Sequence, residues 1–124
     1  MTGNTATVHT TVDQNNTAQA VGSGDLPVFA TPMMIALMER AACEAIAAGL
    51  APGQSSVGTQ VSVAHTAASP VGAQVSATAT VTQVDGRQVE FELRAHCSEQ
   101  EIGRGTHTRF IIDAERFMAK VNTK

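Results

Sequence analysis

The chain has 124 residues, of which 43% are hydrophobic and 15% charged, with a formal net charge of −3. One domain accommodates that length, the apolar content excludes disorder, and mild negative charge with no Trp, no Tyr and four Phe argues against a nucleic-acid-binding surface. So low a charged fraction in a small domain points to surface covered by another copy, hence a homodimer or higher oligomer.

Met1 to Thr11 carry neither a basic segment nor a long apolar stretch, so no signal peptide or membrane span is expected and the cytoplasm is the default compartment. Ala6 to Val12 is rich in Val and Thr and reads as a strand. Residues 13–30 are polar, then Gly-rich through Val21-Gly22-Ser23-Gly24-Asp25, then apolar, which suggests a loop or lid holding a short strand. Thr31 and Pro32 suit an N-cap and a first helical residue. From Met33 to Leu50 the pattern is apolar nearly all round, which predicts a buried helix ended by Gly49 and Pro52-Gly53. Arg40 and Glu44 can pair along it, whereas Glu39 has no cation in reach on its own helix.

Four strand patterns follow. Ser56 to Thr66 alternates, with Val57, Thr59, Val61, Val63 and His65 on one face. Ala73 to Val84 places Val75, Ala77, Ala79 and Val81 inward, and Asp85-Gly86 predicts a hairpin turn. Gln88 to Cys97 turns Val89, Phe91, Leu93 and Ala95 inward; Glu101 to Ile112 is interrupted by Gly103 and Gly105, which suggests a bulge. Asp113 is placed to cap a short terminal helix. Cys43 and Cys97 are isolated and read as buried, reduced thiols. A strand, one long buried helix and a four-strand meander make an α+β fold of a single domain, residues 1–124, with the helix wrapped by a curved antiparallel sheet.

Three polar residues conflict with these local patterns: the hydroxyl of Thr31, the carboxylate of Glu39 and the imidazole of His65. Together they are the groups that acyl transfer uses. A desolvated Glu39 without a cation would have a raised pKa and could serve as base or nucleophile; the competing reading is a half-exposed carboxylate at a subunit seam. His65 beside Glu39 would be a general acid/base, with His107 as its rival. No HxH or HExxH occurs and the four histidines lack ligand spacing, so no metal is expected. The glycines at 103 and 105 precede no helix and do not form a phosphate loop.

The stretches Val28-Phe29-Ala30-Thr31, Leu37-Met38-Glu39, 50–59 (LAPGQSSVGT), 63–72 (VAHTAASPVG), 84–87 (VDGR) and 101–109 (EIGRGTHTR), with 116–120 (RFMAK), resemble the hotdog-fold acyl-CoA thioesterases, and most closely their fluoroacetyl-CoA thioesterase subgroup. The resemblance spans Val28 to Lys120. It implies the hotdog fold, a homodimer, hydrolysis of a short-chain acyl-CoA without a separate cofactor, catalytic roles for Thr31, Glu39 and His65, and supporting roles for Gly58 and Arg109. The subgroup's fluorine selectivity is tied to a Phe-bearing lid, whereas this chain has Asp25 in a Gly/Ser-rich segment, so selectivity for the fluorinated substrate is not implied. Eight positions separate Thr31 and Glu39, roughly 12 Å along one helix, so substrate must bridge them or the site must be shared between subunits. The alternative function is a non-catalytic acyl-CoA or hydrophobic-ligand binding module on the same fold.

Overall fold

Two rows of alternating Val, Ala, Phe and Leu create the surface on which the long helix lies. The computed structural model describes residues 1–124 as β1 (Thr5–Thr11), α1 (Ala18–Val21), α2 (Thr31–Ile46), β2 (Gln54–His65), β3 (Gln74–Asp85), β4 (Gln88–Cys97), β5 (Gln100–Asp113) and α3 (Ala114–Val121). The strands form one antiparallel sheet in the order β1-β3-β4-β5-β2. Val75, Ala77, Ala79 and Val81 of β3 and Val89, Phe91, Leu93 and Ala95 of β4 are buried under α2, as their alternation predicts. No helix is long and apolar enough to cross a membrane.

The helix is less enclosed than its composition suggests. Met34, Leu37, Met38, Ala41, Ala42, Ala45 and Ile46 form its buried stripe at helical spacing. Pro32, Ala36, Arg40 and Glu44 face solvent on the opposite side, so one face of α2 is uncovered. Regular α-helix ends at Ile46 and a 3₁₀ turn, Ala47–Gly49, completes it. The N-cap is Ala30, with no side-chain cap hydrogen bond; Thr31 is the first helical residue and Pro32 the second. That one-residue shift turns the Thr31 hydroxyl away from capping and leaves it available for other partners. The lid contains the short helix α1, capped by Thr17, in place of the expected strand.

Bulges reset the strand faces. Thr59, Thr82 and Ile102 are each skipped in the pairing register. Beyond Thr59 the expected face of Val61, Val63 and His65 holds, but before it the alternation is inverted. Gly58 opposes Arg109 and Val57 opposes the exposed Phe110, so Gly58, and not Val57, shares the helix-facing side. The bulge near the two β5 glycines sits at Ile102. Gly103 and Gly105 allow close approach instead: a Cβ on Gly103 would lie 2.6 Å from Met34 Sδ, and one on Gly105 would collide with the Ser62 carbonyl. The β3–β4 hairpin turns on Gly86-Arg87, because Asp85 already pairs with Gln88. Gly86 has φ +62 and Arg87 a negative φ, as a type II′ turn requires. Asp113 precedes α3 without capping it and instead approaches Arg87 at 3.6 Å and Arg116 at 3.9 Å. Cys43 and Cys97 are free and half-buried.

Candidate active site

The start of α2 meets the end of β2. Thr31 Oγ1 and His65 Nδ1 lie 2.8 Å apart. Burial pushes the His65 pKa below its ordinary value, with the Ala67 backbone pulling the other way, so the ring is neutral at pH 7. Its Nε2 is buried and has no hydrogen-bond partner. Leaving such an atom unpaired costs about 1–3 kcal/mol, which a bound group would recover. Beside this pair is an open cavity of about 240 Å³ lined by Ala18, Ser23, Val28, Phe29, Thr31, His65, Thr66, Ala67 and Ala68. The lid therefore contributes Ala18, Ser23, Val28 and Phe29 to its wall.

Glu39 belongs to a second cluster. Its Oε2 accepts a hydrogen bond from Arg109 Nη1 at 3.0 Å. The Glu39 side chain is 40% exposed and that of Arg109 8%. The isolated, desolvated carboxylate expected from the helix pattern is thus absent: β5 brings the cation that the helix lacks. Arg109 also donates from Nε to Ser56 Oγ at 2.8 Å and from Nη2 to the Ser56 carbonyl at 3.0 Å. Gly58 faces this carboxylate, and a Cβ there would stand 2.8 Å from Glu39 Oε2. The surrounding cleft, about 280 Å³, is lined by Glu39, Gly58, Thr59, Gln60, Val61 and His107.

The histidine near Glu39 is His107, with Nε2 3.8 Å from Oε2. His65 pairs with Thr31 instead of standing beside Glu39, and His107 is no substitute for it there. Within one chain Thr31 and His65 come together, Glu39, Gly58 and Arg109 come together, and the two groups occupy separate cavities. Ser56 escaped sequence reasoning because the Thr59 bulge inverts its strand face. The His107-x-Arg109 spacing, two inward positions of one strand, was the available signal for the network. No group of three or more His, Cys, Asp or Glu residues is arranged to hold a metal.

The comparisons with known proteins concern the whole fold. A family model described as "FlK: Fluoroacetyl-CoA-specific thioesterase" matches residues 12–115. The fluoroacetyl-CoA thioesterase of Streptantibioticus cattleyicolor is 47% identical over 97 residues, covering 78% of this chain and 70% of that protein. A crystal structure of fluoroacetyl-CoA thioesterase FlK superposes with a TM-score of 0.93 at 39% identity, covering 100% of this chain and 96% of the other. A hot-dog-like protein from Thermanaerovibrio acidaminovorans, 23% identical, superposes at 0.87 over 97% of this chain and 89% of its own and establishes the hotdog fold. With the core apart from Val8, both clusters and the whole lid inside the matched segment, the chain belongs to the fluoroacetyl-CoA-specific thioesterase family.

Proposed function

We propose that this thioesterase hydrolyses short-chain acyl-CoA esters at a site shared by two copies of the chain, with Thr31 and His65 from one copy and Glu39, Gly58 and Arg109 from the other. The observation that carries the reading is the separation of the two clusters along one unpaired strand edge. β2 pairs only with β5, leaving a 12-residue edge free, and Val61 at its middle is 41% exposed. A long open edge favours pairing with another chain. Antiparallel pairing of two copies about Val61-Ser62, midway between Gly58 and His65, would set Gly58 of one opposite the partner's His65. The uncovered face of α2 would be enclosed by the same association. Free thiols at Cys43 and Cys97 suit a reducing compartment, in keeping with the cytoplasm.

In such a site Arg109 holds Oε2 of Glu39 and leaves Oε1 to take a proton from water. The water oxygen bonds to the thioester carbonyl carbon as that proton is removed. The Thr31 N–H, at the N-terminus of α2 where no intrahelical acceptor exists, meets the negative charge that develops on the carbonyl oxygen. The Thr31 hydroxyl donates to His65 Nδ1, which puts the ring proton on Nε2. That N–H stabilises the sulfur as the C–S bond breaks. Thiolates are weak bases, with thiol pKa near 8.5, so coenzyme A leaves without full protonation and later takes up the proton held by Glu39.

Two assays test this. Release of free thiol from a panel of short acyl-CoAs reads the activity; no release from any member refutes it. Mixing His65→Ala and Glu39→Gln proteins under subunit exchange reads the shared site. Mixed dimers then hold one intact site, and about a quarter of wild-type activity returns. If each chain carries its own complete site, every site keeps one lesion, nothing returns and the shared site is wrong.

A further inference from the structure

We infer that His107 is a positioning residue for the Glu39 carboxylate: as the neutral Nδ1–H tautomer it fixes the Arg109 guanidinium, which in turn fixes Glu39. The inference rests on the proposed role of Glu39.

The partners of the ring assign its protons. Nδ1 lies 2.7 Å from the Gln60 carbonyl oxygen. A carbonyl only accepts, so Nδ1 carries hydrogen. Nε2 lies 3.2 Å from Arg109 Nη1. A guanidinium only donates, so Nε2 must present its lone pair. A second ring proton would set N–H against N–H and one cation against another. Burial, the largest influence, and the Arg109 cation hold the ring's pKa below its ordinary value, against the pull of the Gln60 carbonyl and Glu39. The close approach of His107 and Glu39 is therefore not an ion pair.

The acceptor for Nδ1 comes from the bulge. In a regular ladder the carbonyls that face the neighbouring strand bond to its N–H groups. The extra residue, Thr59, disrupts the ladder beside Gln60 and frees that oxygen for the ring. Phe91 stacks on the opposite side, with ring centroids 5.8 Å apart and planes at 28°. His107 itself is 3% exposed, so water cannot replace either hydrogen bond.

The consequence falls on Arg109. Ser56 grips its Nε and Nη2 edge, while Nη1 is shared by Glu39 and His107. Without an acceptor at His107, Nη1 is held only by the half-exposed carboxylate that it is meant to orient. Displacement of a reacting group by about 1 Å costs on the order of 10²-fold in rate. His107 lines the Glu39 cleft but is only 3% exposed, so ground-state binding of the substrate should be little affected.

The first test uses the unaltered protein. ¹⁵N NMR of the imidazoles at pH 7.5 should show His107 protonated at Nδ1 and bare at Nε2; the opposite tautomer, or a charged ring, overturns the inference. The second compares His107→Gln with His107→Leu. The Gln oxygen can take the Nη1 hydrogen bond, whereas Leu fills space without an acceptor. His107→Leu should lose about tenfold or more in kcat with KM nearly unchanged, and His107→Gln should recover most of the loss. A folded His107→Leu protein with wild-type kcat, or a Gln variant no better than Leu, overturns it. If Glu39→Gln is fully active, the site reading fails instead, while the tautomer result stands on its own.

Discussion

Replacing Glu39 by Gln separates the chemical role of the carboxylate from its structural one. At 3.0 Å from Arg109 Nη1, a charge pair has a raw attraction of about 5 kcal/mol at an effective dielectric of about 20. Most of that is offset, because Arg109 is desolvated and water reaches Glu39. The Gln oxygen also keeps one hydrogen bond from Nη1. The net loss should be about 1–2 kcal/mol, between an exposed pair and a fully buried one, or a fall in Tm of roughly 3–8 °C. Turnover should fall far more. Removing a general base costs about 10²–10⁴-fold, equivalent to roughly 3–5 kcal/mol of barrier. Both quantities are read from one preparation, Tm by calorimetry and kcat by thiol release. A folded Glu39→Gln protein with kcat within about threefold of wild type would sink the catalytic assignment. A rise in Tm would show instead that the carboxylate strains its surroundings, against the pairing with Arg109.

Three further outcomes are expected. Gly58→Ala puts a methyl 2.8 Å from Glu39 Oε2 and 3.1 Å from His107 Cε1. The exposed carboxylate can yield, so stability should fall by no more than about 1–3 kcal/mol, while kcat drops about tenfold or more; wild-type kcat would show that carboxylate placement is not critical. His65 and His107 both have pKa values below the ordinary 6.5. The unfolded chain therefore binds more protons in that window, and stability should be complete above about pH 6.5 and decline as pH falls through it. A Tm flat from pH 7 to pH 5 would contradict this. Fluoroacetyl-CoA should not be strongly preferred over acetyl-CoA, because the lid presents Ser23 to the cavity and an exposed Asp25 beside Leu26, which is 64% exposed; a kcat/KM ratio strongly favouring the fluorinated ester would refute that reading of the lid.

The amino-acid order was sufficient wherever a residue's neighbours in sequence are also its neighbours in space. The inward rows of β3 and β4 follow from strict alternation, and the start of α2 follows from Thr31-Pro32 to within one residue. Thr31, Glu39 and His65 stood out because each breaks the local pattern, and the motif resemblance added Gly58 and Arg109. What no local pattern contained was pairing across the sheet. One extra residue at Thr59 inverts the first half of β2, which turns Gly58 and Ser56 toward the helix and takes Val57 away from it. Register, set by long-range pairing, is invisible to alternation once a bulge intervenes. The same holds for charge: Glu39 looked unpaired because its cation lies 70 positions away on β5. Only the tertiary structure could put His65 with Thr31 and His107 with Glu39, because strand order decides which side chains meet, and a one-dimensional pattern holds no strand order.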